Sequence, residues 1–292
     1  MKNTDSAPRK SRSFIQDVWY RFKKEKLAIL GLVILLIIFA TAILGGFLLD
    51  YEKDIITQDI PNKLASPSFQ HIFGTDGFGR DIFYRIVWGA RYSLLIGFSG
   101  SIIGLLVGGL MGAVAGYMGG TVDAVFMRII DMFIALPTTI LAVAIVSVLG
   151  PSLTNLIVAI SIANVPSYAR LTRSSVLTIK DNEFIEASTA VGGNGVHIMM
   201  QHILPNVLAT LIVQFTMGVG WSITTAAGLS YLGLGVTPPD PEWGNMLSEG
   251  RDVMRYNSNL VIFPGLFIMV TVLALNLVGD GIRDAVDPKL KN

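Results

Sequence analysis

The chain has 292 residues, 52% hydrophobic and only 15% charged, with a formal net charge of +1. A soluble domain carries about a quarter charged residues, and here the deficit is concentrated in long uncharged runs, as in a chain solvated by a bilayer. The near-zero net charge removes any bulk electrostatic case for nucleic acid, and the absence of cysteine excludes disulfides, iron–sulfur clusters and thiolate metal sites.

Residues 1–26 form a polar tail with eight basic residues: Lys2, Arg9, Lys10, Arg12, Arg21, Lys23, Lys24 and Lys26. Basic tails stay on the cytoplasmic side. Residues 27–292 read as one transmembrane domain, since no Pro/Ser-rich linker divides them. A crossing helix needs about 20 apolar residues, and the first run, 27–49, meets that length without a charge. It is too long for a signal-peptide core, and Ala40-Thr41-Ala42, which looks like a cleavage site, lies inside it.

Residues 50–91 form a polar outer loop with Pro61, Pro67 and several glycines. A second span covers 92–117. A third covers 122–149, with Pro137 as a point of bending, and Gly150-Pro151 as a turn. A fourth covers 153–169. A polar cytoplasmic stretch, 170–205, precedes a fifth span at 206–229. An outer loop, 230–259, contains the turn-rich Pro238-Pro239-Asp240-Pro241, and a sixth span covers 260–278. Six spans place both ends in the cytoplasm. Fifteen Lys/Arg then fall inside and seven outside, most of the bias coming from the first 26 residues.

The second span carries Gly100, Gly104, Gly108, Gly112 and Gly116, with Gly120 beyond, at strict four-residue spacing. Each glycine costs about 1 kcal/mol of helix propensity relative to alanine. Close approach of a neighbouring helix is the main explanation, and a gating hinge is the other. Because i+4 positions drift around a helix, the ridge winds. Polar residues within the apolar runs are Asn155, Ser161 and Asn164 in the fourth span, Gln214, Ser222, Thr224 and Thr225 in the fifth, and Asn276 in the sixth. Such residues face a bundle interior. Hydrogen bonding between helices and lining of a path are both open readings. Arg128 and Asp131 have the spacing of a local ion pair. No chain of acids suits proton coupling.

In the cytoplasmic stretch, Asp181 to Val191 reads as a short helix with Glu183 and Glu186 near its positive end. Phe184, Ala187, Ser188 and Val191 share a face. Gly192-Gly193-Asn194-Gly195 stops it, and a second short helix, Val196 to Leu204, is expected to end at Pro205. The apolar face of this hairpin needs a partner, either the headgroup layer or the protein's own bundle, or else a groove on a soluble subunit. No phosphate-binding G-x-x-x-x-G-K-[ST] loop occurs, His71, His197 and His202 form no ligand cluster, and nothing resembles an activated nucleophile.

Glu186-Ala187-Ser188, then Gly192 three residues on, then Leu204-Pro205 resembles the EAA signature (E-A-A, three residues, G, nine residues, I-x-L-P) of permeases from ATP-binding-cassette importers. Ser188 and His202 depart from it, at the third alanine and the isoleucine. Further stretches resemble the C-type (DppC/OppC-like) permease of the dipeptide, oligopeptide and nickel branch. They are His71 to Asp76 with Gly79-Arg80-Asp81, Gly89 to Leu94, Leu229 to Val236, Trp243 to Leu247, and Gly279 to Pro288.

The resemblance implies an all-α, six-span type I importer permease fold in a bacterial or archaeal cytoplasmic membrane. It implies a homologous B-type permease partner, two ATPase subunits that hold ATP and magnesium, and an extracytoplasmic solute-binding protein. This chain would bind no cofactor and catalyse nothing. The hairpin becomes the coupling helix that fits a cleft on the ATPase, with Glu183, Glu186, Ala187, Ser188, Gly192, Leu204 and Pro205 as coupling residues. Glu186 would position that helix, and Gly192 would permit the tight turn after it. Peptides, glutathione, nickel complexes or metallophores are the solute classes. The GTD and GRD segments of the 50–91 loop are expected to present exposed turns to the binding protein or the partner permease. A channel would need a selectivity device, and a secondary transporter would commonly show repeats and midplane ion ligands. Neither is visible.

Overall fold

The computed structural model describes residues 14–286, so the basic residues Lys2, Arg9, Lys10, Arg12, Lys289 and Lys291, and Asp287-Pro288, lie outside the described residues. Within them the chain is helical, with no strand beyond a single bridge between Thr75 and Asp81.

A short helix, α1 (Phe14–Phe22), precedes α2 (Lys26–Leu48), whose 23 residues span about 35 Å at 1.5 Å per residue. Next, α3 (Ile82–Met118) has 37 residues, far more than a bilayer requires. Its first ten residues were expected in the outer loop. Asp81 starts the helix earlier, its carboxylate accepting from the Tyr84 amide at 3.1 Å. The irregular loop therefore ends at residue 81.

Two helices, α4 (Gly120–Ile134) and α5 (Thr138–Leu149), take the place of the third span and meet at an 82° bend. The cause is Pro137, which lacks an amide donor and pushes the residue before it out of helical geometry. Helix α6 (Leu153–Lys180) continues eleven residues past the expected end of the fourth span. The charges Arg170, Arg173 and Lys180 do not end it, because Arg170 and Arg173 pair across to α4.

A short turn then carries α7 (Glu183–Ala190) and α8 (Gly195–Ile198) into α9 (Leu204–Tyr231). Pro205 was expected to end a helix, yet residues Gly195–Tyr231 run on as one rod. A wider π-type turn over Met199–Ile203, in which the Leu204 amide reaches back to the Met199 carbonyl, makes room for the proline ring. After α9, an unforeseen helix α10 (Trp243–Gly250) lies in the second outer loop, and α11 (Asn259–Val286) closes the chain.

Among the described residues, four helices are long and apolar enough to cross a membrane, or five if the α4–α5 pair is one span. That length and composition suit repeated crossing of a bilayer. Its central seam is α3 against α6. A Cβ on Gly100 would meet Ile160 at 2.8 Å and one on Gly116 would meet Val176 at 3.0 Å. On Gly104, Gly108 and Gly112 it would meet Asn164, the Val165 carbonyl and the Ala169 carbonyl. All of these neighbours belong to α6, so the winding ridge stays on one partner. Gly120 is not part of it: it lies past the end of α3, at φ +53°, with open space around it.

Candidate coupling turn, outer clasp and path face

The turn after α6 is built by short-range backbone chemistry. Asn182 ends α6 by donating its side-chain amide to the Thr178 and Ile179 carbonyls. Glu183 and Glu186 occupy the first turn of α7, where the helix dipole favours negative charge. The helix stops in a double-bonded cap: the Gly193 amide reaches the Ser188 carbonyl and the Gly192 amide reaches the Thr189 carbonyl, both at 3.0 Å. That cap needs a left-handed residue, and Gly192 sits at φ +92°. Asn194 then caps α8, its Oδ1 accepting from the His197 amide at 2.8 Å. An Asn before Gly-Val-His-Ile was a legible signal for that start.

The turn sits on a firm base. Ile185, Ile198 and Ile203 are buried against Ala113, Val176, Val207 and Leu211 from the ends of α3, α6 and α9. Lys180 donates to the Tyr117 carbonyl at 2.7 Å, fastening the end of α6 to the end of α3. The opposite face is open and apolar: Phe184 is 47% exposed, Val196 73% and Val191 89%. Of the residues expected on this surface, Glu183, Glu186, Ala187, Gly192 and Pro205 are exposed, and Ser188 is half-buried. Leu204 packs into the base instead.

At the other end of the bundle, the loop before α3 is an internal clasp. Asp76, Arg80, Asp81 and Arg85 are all buried. Arg80 Nε donates to Asp76 at 2.6 Å, and the Arg80 and Arg85 guanidinium groups both reach Glu249 of α10, at 3.0 and 2.9 Å. Asp81 also meets His71 at 2.8 Å. The GTD and GRD segments are themselves buried, with Arg80 tying the loop to α10 and Asp81 held by His71 and the start of α3, and the turn they hold between them, Gly77-Phe78, is exposed. Glu242 caps α10, accepting from the amides of Gly244 and Asn245, and Trp243 donates to the Ile86 carbonyl at 3.0 Å. Nearby, Tyr51 and Tyr92 both donate to Asp240, at 2.6 and 3.0 Å. Burial, then the bond to Asp240, pushes the Tyr51 phenol well above its ordinary range.

The candidate path residues divide. Asn155 is a cap, donating to the Leu149 and Gly150 carbonyls. Ser161 bonds the Ile157 carbonyl within its own helix. Asn164 crosses the bundle core, donating to the Gly100 carbonyl at 3.2 Å and to Ser222 at 3.0 Å. Ser222 and Thr225 are buried. Gln214 lines an open groove with Leu171, Thr210, Met217 and Arg283, and it bonds exposed Ser167 at 3.2 Å. Asp131 pairs with Arg170 of α6 at 2.7 Å rather than with Arg128, and Asp123 pairs with Arg173, so α4 is strapped to α6.

Residues 104–292 match the family described as the inner membrane component of binding-protein-dependent transport systems, and residues 13–67 match the N-terminal transmembrane domain of oligopeptide transport permease C. A dipeptide transport system permease protein of Alkalihalophilus pseudofirmus is 46% identical over 95% of this chain and 90% of its own length. The chain belongs to this permease family. A glutathione transport system permease protein of Escherichia coli is 42% identical over 97% of this permease and 93% of its own length. A di/tripeptide transport system permease protein of Pseudomonas aeruginosa is 42% identical over 95% and 93%. The fold matches that of the MetNI methionine ABC transporter with a TM-score of 0.60 at 21% identity, over 70% of this permease and 98% of the other chain. This is therefore a type I importer permease of the C type, and the channel and secondary-transporter readings fall away.

Proposed function

We propose that this permease forms half of the translocation path of an importer for short peptides, glutathione included, in a bacterial cytoplasmic membrane. The solute class rests on the named relatives. Six spans carry it: α2, α3, the bent α4–α5 pair, α6, α9 and α11, with both termini and the α7–α8 turn in the cytoplasm. The polar residues of α6 are compatible with crossing, because Ser161 and Asn164 are buried and Asn164 is bonded to α3 and α9. A B-type permease faces this one across the path, with Gln214 and Ser167 on that face. Two ATPase subunits supply ATP and magnesium, and a solute-binding protein delivers cargo. This chain moves but catalyses nothing.

The observation that carries the reading is the exposed apolar tip of Phe184, Val191 and Val196 above a rigid isoleucine base. An open apolar surface of that kind suits a groove on a soluble partner, and its rigid seat would transmit motion into α3, α6 and α9. ATP-driven closure of the ATPases would draw the two turns together and open the path to the binding protein. Hydrolysis would reset it.

The test is purification of the tagged permease from native membranes in mild detergent, comparing wild type with Phe184→Asp and Val191→Asp. Both side chains are exposed, so the bundle should stay folded. Recovery of a second permease and ATPase chains with wild type, and loss of the ATPases alone with the variants, is expected. Variants that elute as folded permease and still bring down the ATPases would overturn the role of the turn.

A further inference from the structure

We infer that α1 is an interfacial anchor whose outer face takes the anionic headgroup layer of the bilayer. Its inner face belongs to the bundle. Phe22 is 4% exposed and packs at Gly281 of α11 and against the start of α2, with Val18 beside it. The other face carries Gln16, Trp19, Tyr20, Lys23 and Lys24, all exposed. Each aromatic ring is covered one turn on by a lysine: Lys23 Nζ lies 4.9 Å from the Trp19 ring centre and Lys24 Nζ lies 4.4 Å from that of Tyr20. Ring bodies beneath ammonium tips are side chains with one apolar and one wet end, and such residues collect at the depth of lipid headgroups.

Two observations select lipid over a protein as the occupant. The first is continuity. Three residues after α1 the chain enters α2, whose exposed Leu27, Leu30 and Val33 are the beginning of a surface turned to hydrocarbon. The outer face of α1 therefore sits at the rim of that surface, level with the polar end of a span. The second is charge. Arg21, Lys23, Lys24 and Lys26 outnumber Asp17 and Glu25 by two, and Asp17 is already engaged with Arg21 at 3.0 Å. What remains is a positive collar at the membrane level where acidic lipids concentrate. The α7–α8 turn, which suits a protein groove, has the opposite character: open apolar residues with two acids and no lysine from Glu183 to Leu204. The two surfaces serve different partners.

The chain lacks cysteine, so a single Gln16→Cys variant carries one nitroxide beside Trp19 without removing any ring or lysine. The label's collision rate with a water-soluble relaxing agent is measured in nanodiscs of phosphatidylcholine alone and of phosphatidylcholine with phosphatidylglycerol, for the permease by itself and in the assembled transporter. Phosphatidylglycerol should shield the label in both. Adding Lys23→Gln and Lys24→Gln should weaken that preference by about fivefold for each lysine removed, and high salt should do the same. Shielding that ignores lipid charge and arises only on assembly would assign the face to a protein partner and overturn the inference. A label equally accessible under all conditions would overturn it as well.

Discussion

The α3–α6 seam makes a test in which one substitution has opposite signs at neighbouring positions. In Gly112→Ala, the new methyl would lie against the Ala169 carbonyl oxygen and 2.9 Å from Thr172 Cβ, both parts of a packed helix that cannot swing aside. Overpacking of this kind costs about 1–3 kcal/mol, and alanine returns about 1 kcal/mol of helix propensity. In Gly109→Ala, the methyl finds only Leu105 and Thr172 side-chain atoms, at 3.8 Å, which is ordinary contact. There the propensity gain stands almost alone, up to about 1 kcal/mol. Thermal melting of the purified permease in one detergent, followed by loss of the monodisperse peak, should rank Gly109→Ala at or above wild type and Gly112→Ala below it. Equal melting of the two variants, or a more stable Gly112→Ala, would refute the close-approach account of the ridge.

At the clasp, Glu249→Gln leaves Arg85, fully buried, with Asp76 at 3.6 Å as its remaining acid. Breaking a buried pair costs about 3–5 kcal/mol, here reduced because Glu249 is part-exposed, so the variant should melt clearly lower. Asp252→Asn, which breaks the exposed Arg251–Asp252 contact, should leave melting unchanged in the same assay. Gly192→Ala meets no atom within 4 Å but holds alanine at φ +92°, a strain of about 1–2 kcal/mol. Proteolysis between α7 and α8 should speed up, with Gly192→Asn intermediate, because asparagine tolerates left-handed geometry. Finally, Tyr51 should keep its proton at pH values where exposed tyrosines ionise, as read by phenolate absorbance against Tyr51→Phe. Its raised value means that its stabilisation is complete below the unfolded-state value of 10.0 and declines as pH rises above it.

Local signals carried the reading of the elements. Uncharged runs marked α2, α3, α9 and α11, and Pro137 marked the break between α4 and α5. Spacing alone announced that Gly100 to Gly116 would meet another helix, although not that the helix would be α6. Helix ends were less legible. The apolar run of α3 stops where the hydrocarbon would, but Asp81 and the clasp carry the backbone ten residues further. Cross-helix ion pairs likewise let α6 continue through Arg170 and Arg173. Helix α10 has one local cue in the sequence, Glu242 before Trp243.

What the amino-acid order determined by itself is what neighbours in the chain decide: which stretches are apolar enough for a bilayer, where the backbone must turn left-handed at Gly192, and the motif spacing that marks the family. What only the tertiary structure decided is where the polar residues spend their hydrogen bonds. Arg80 and Arg85 find Glu249 at separations of 169 and 164 residues, and Asn164 finds Ser222 at 58. Periodicity is a property of a few turns of chain, whereas the partner of a buried charge depends on which helices the whole fold brings together.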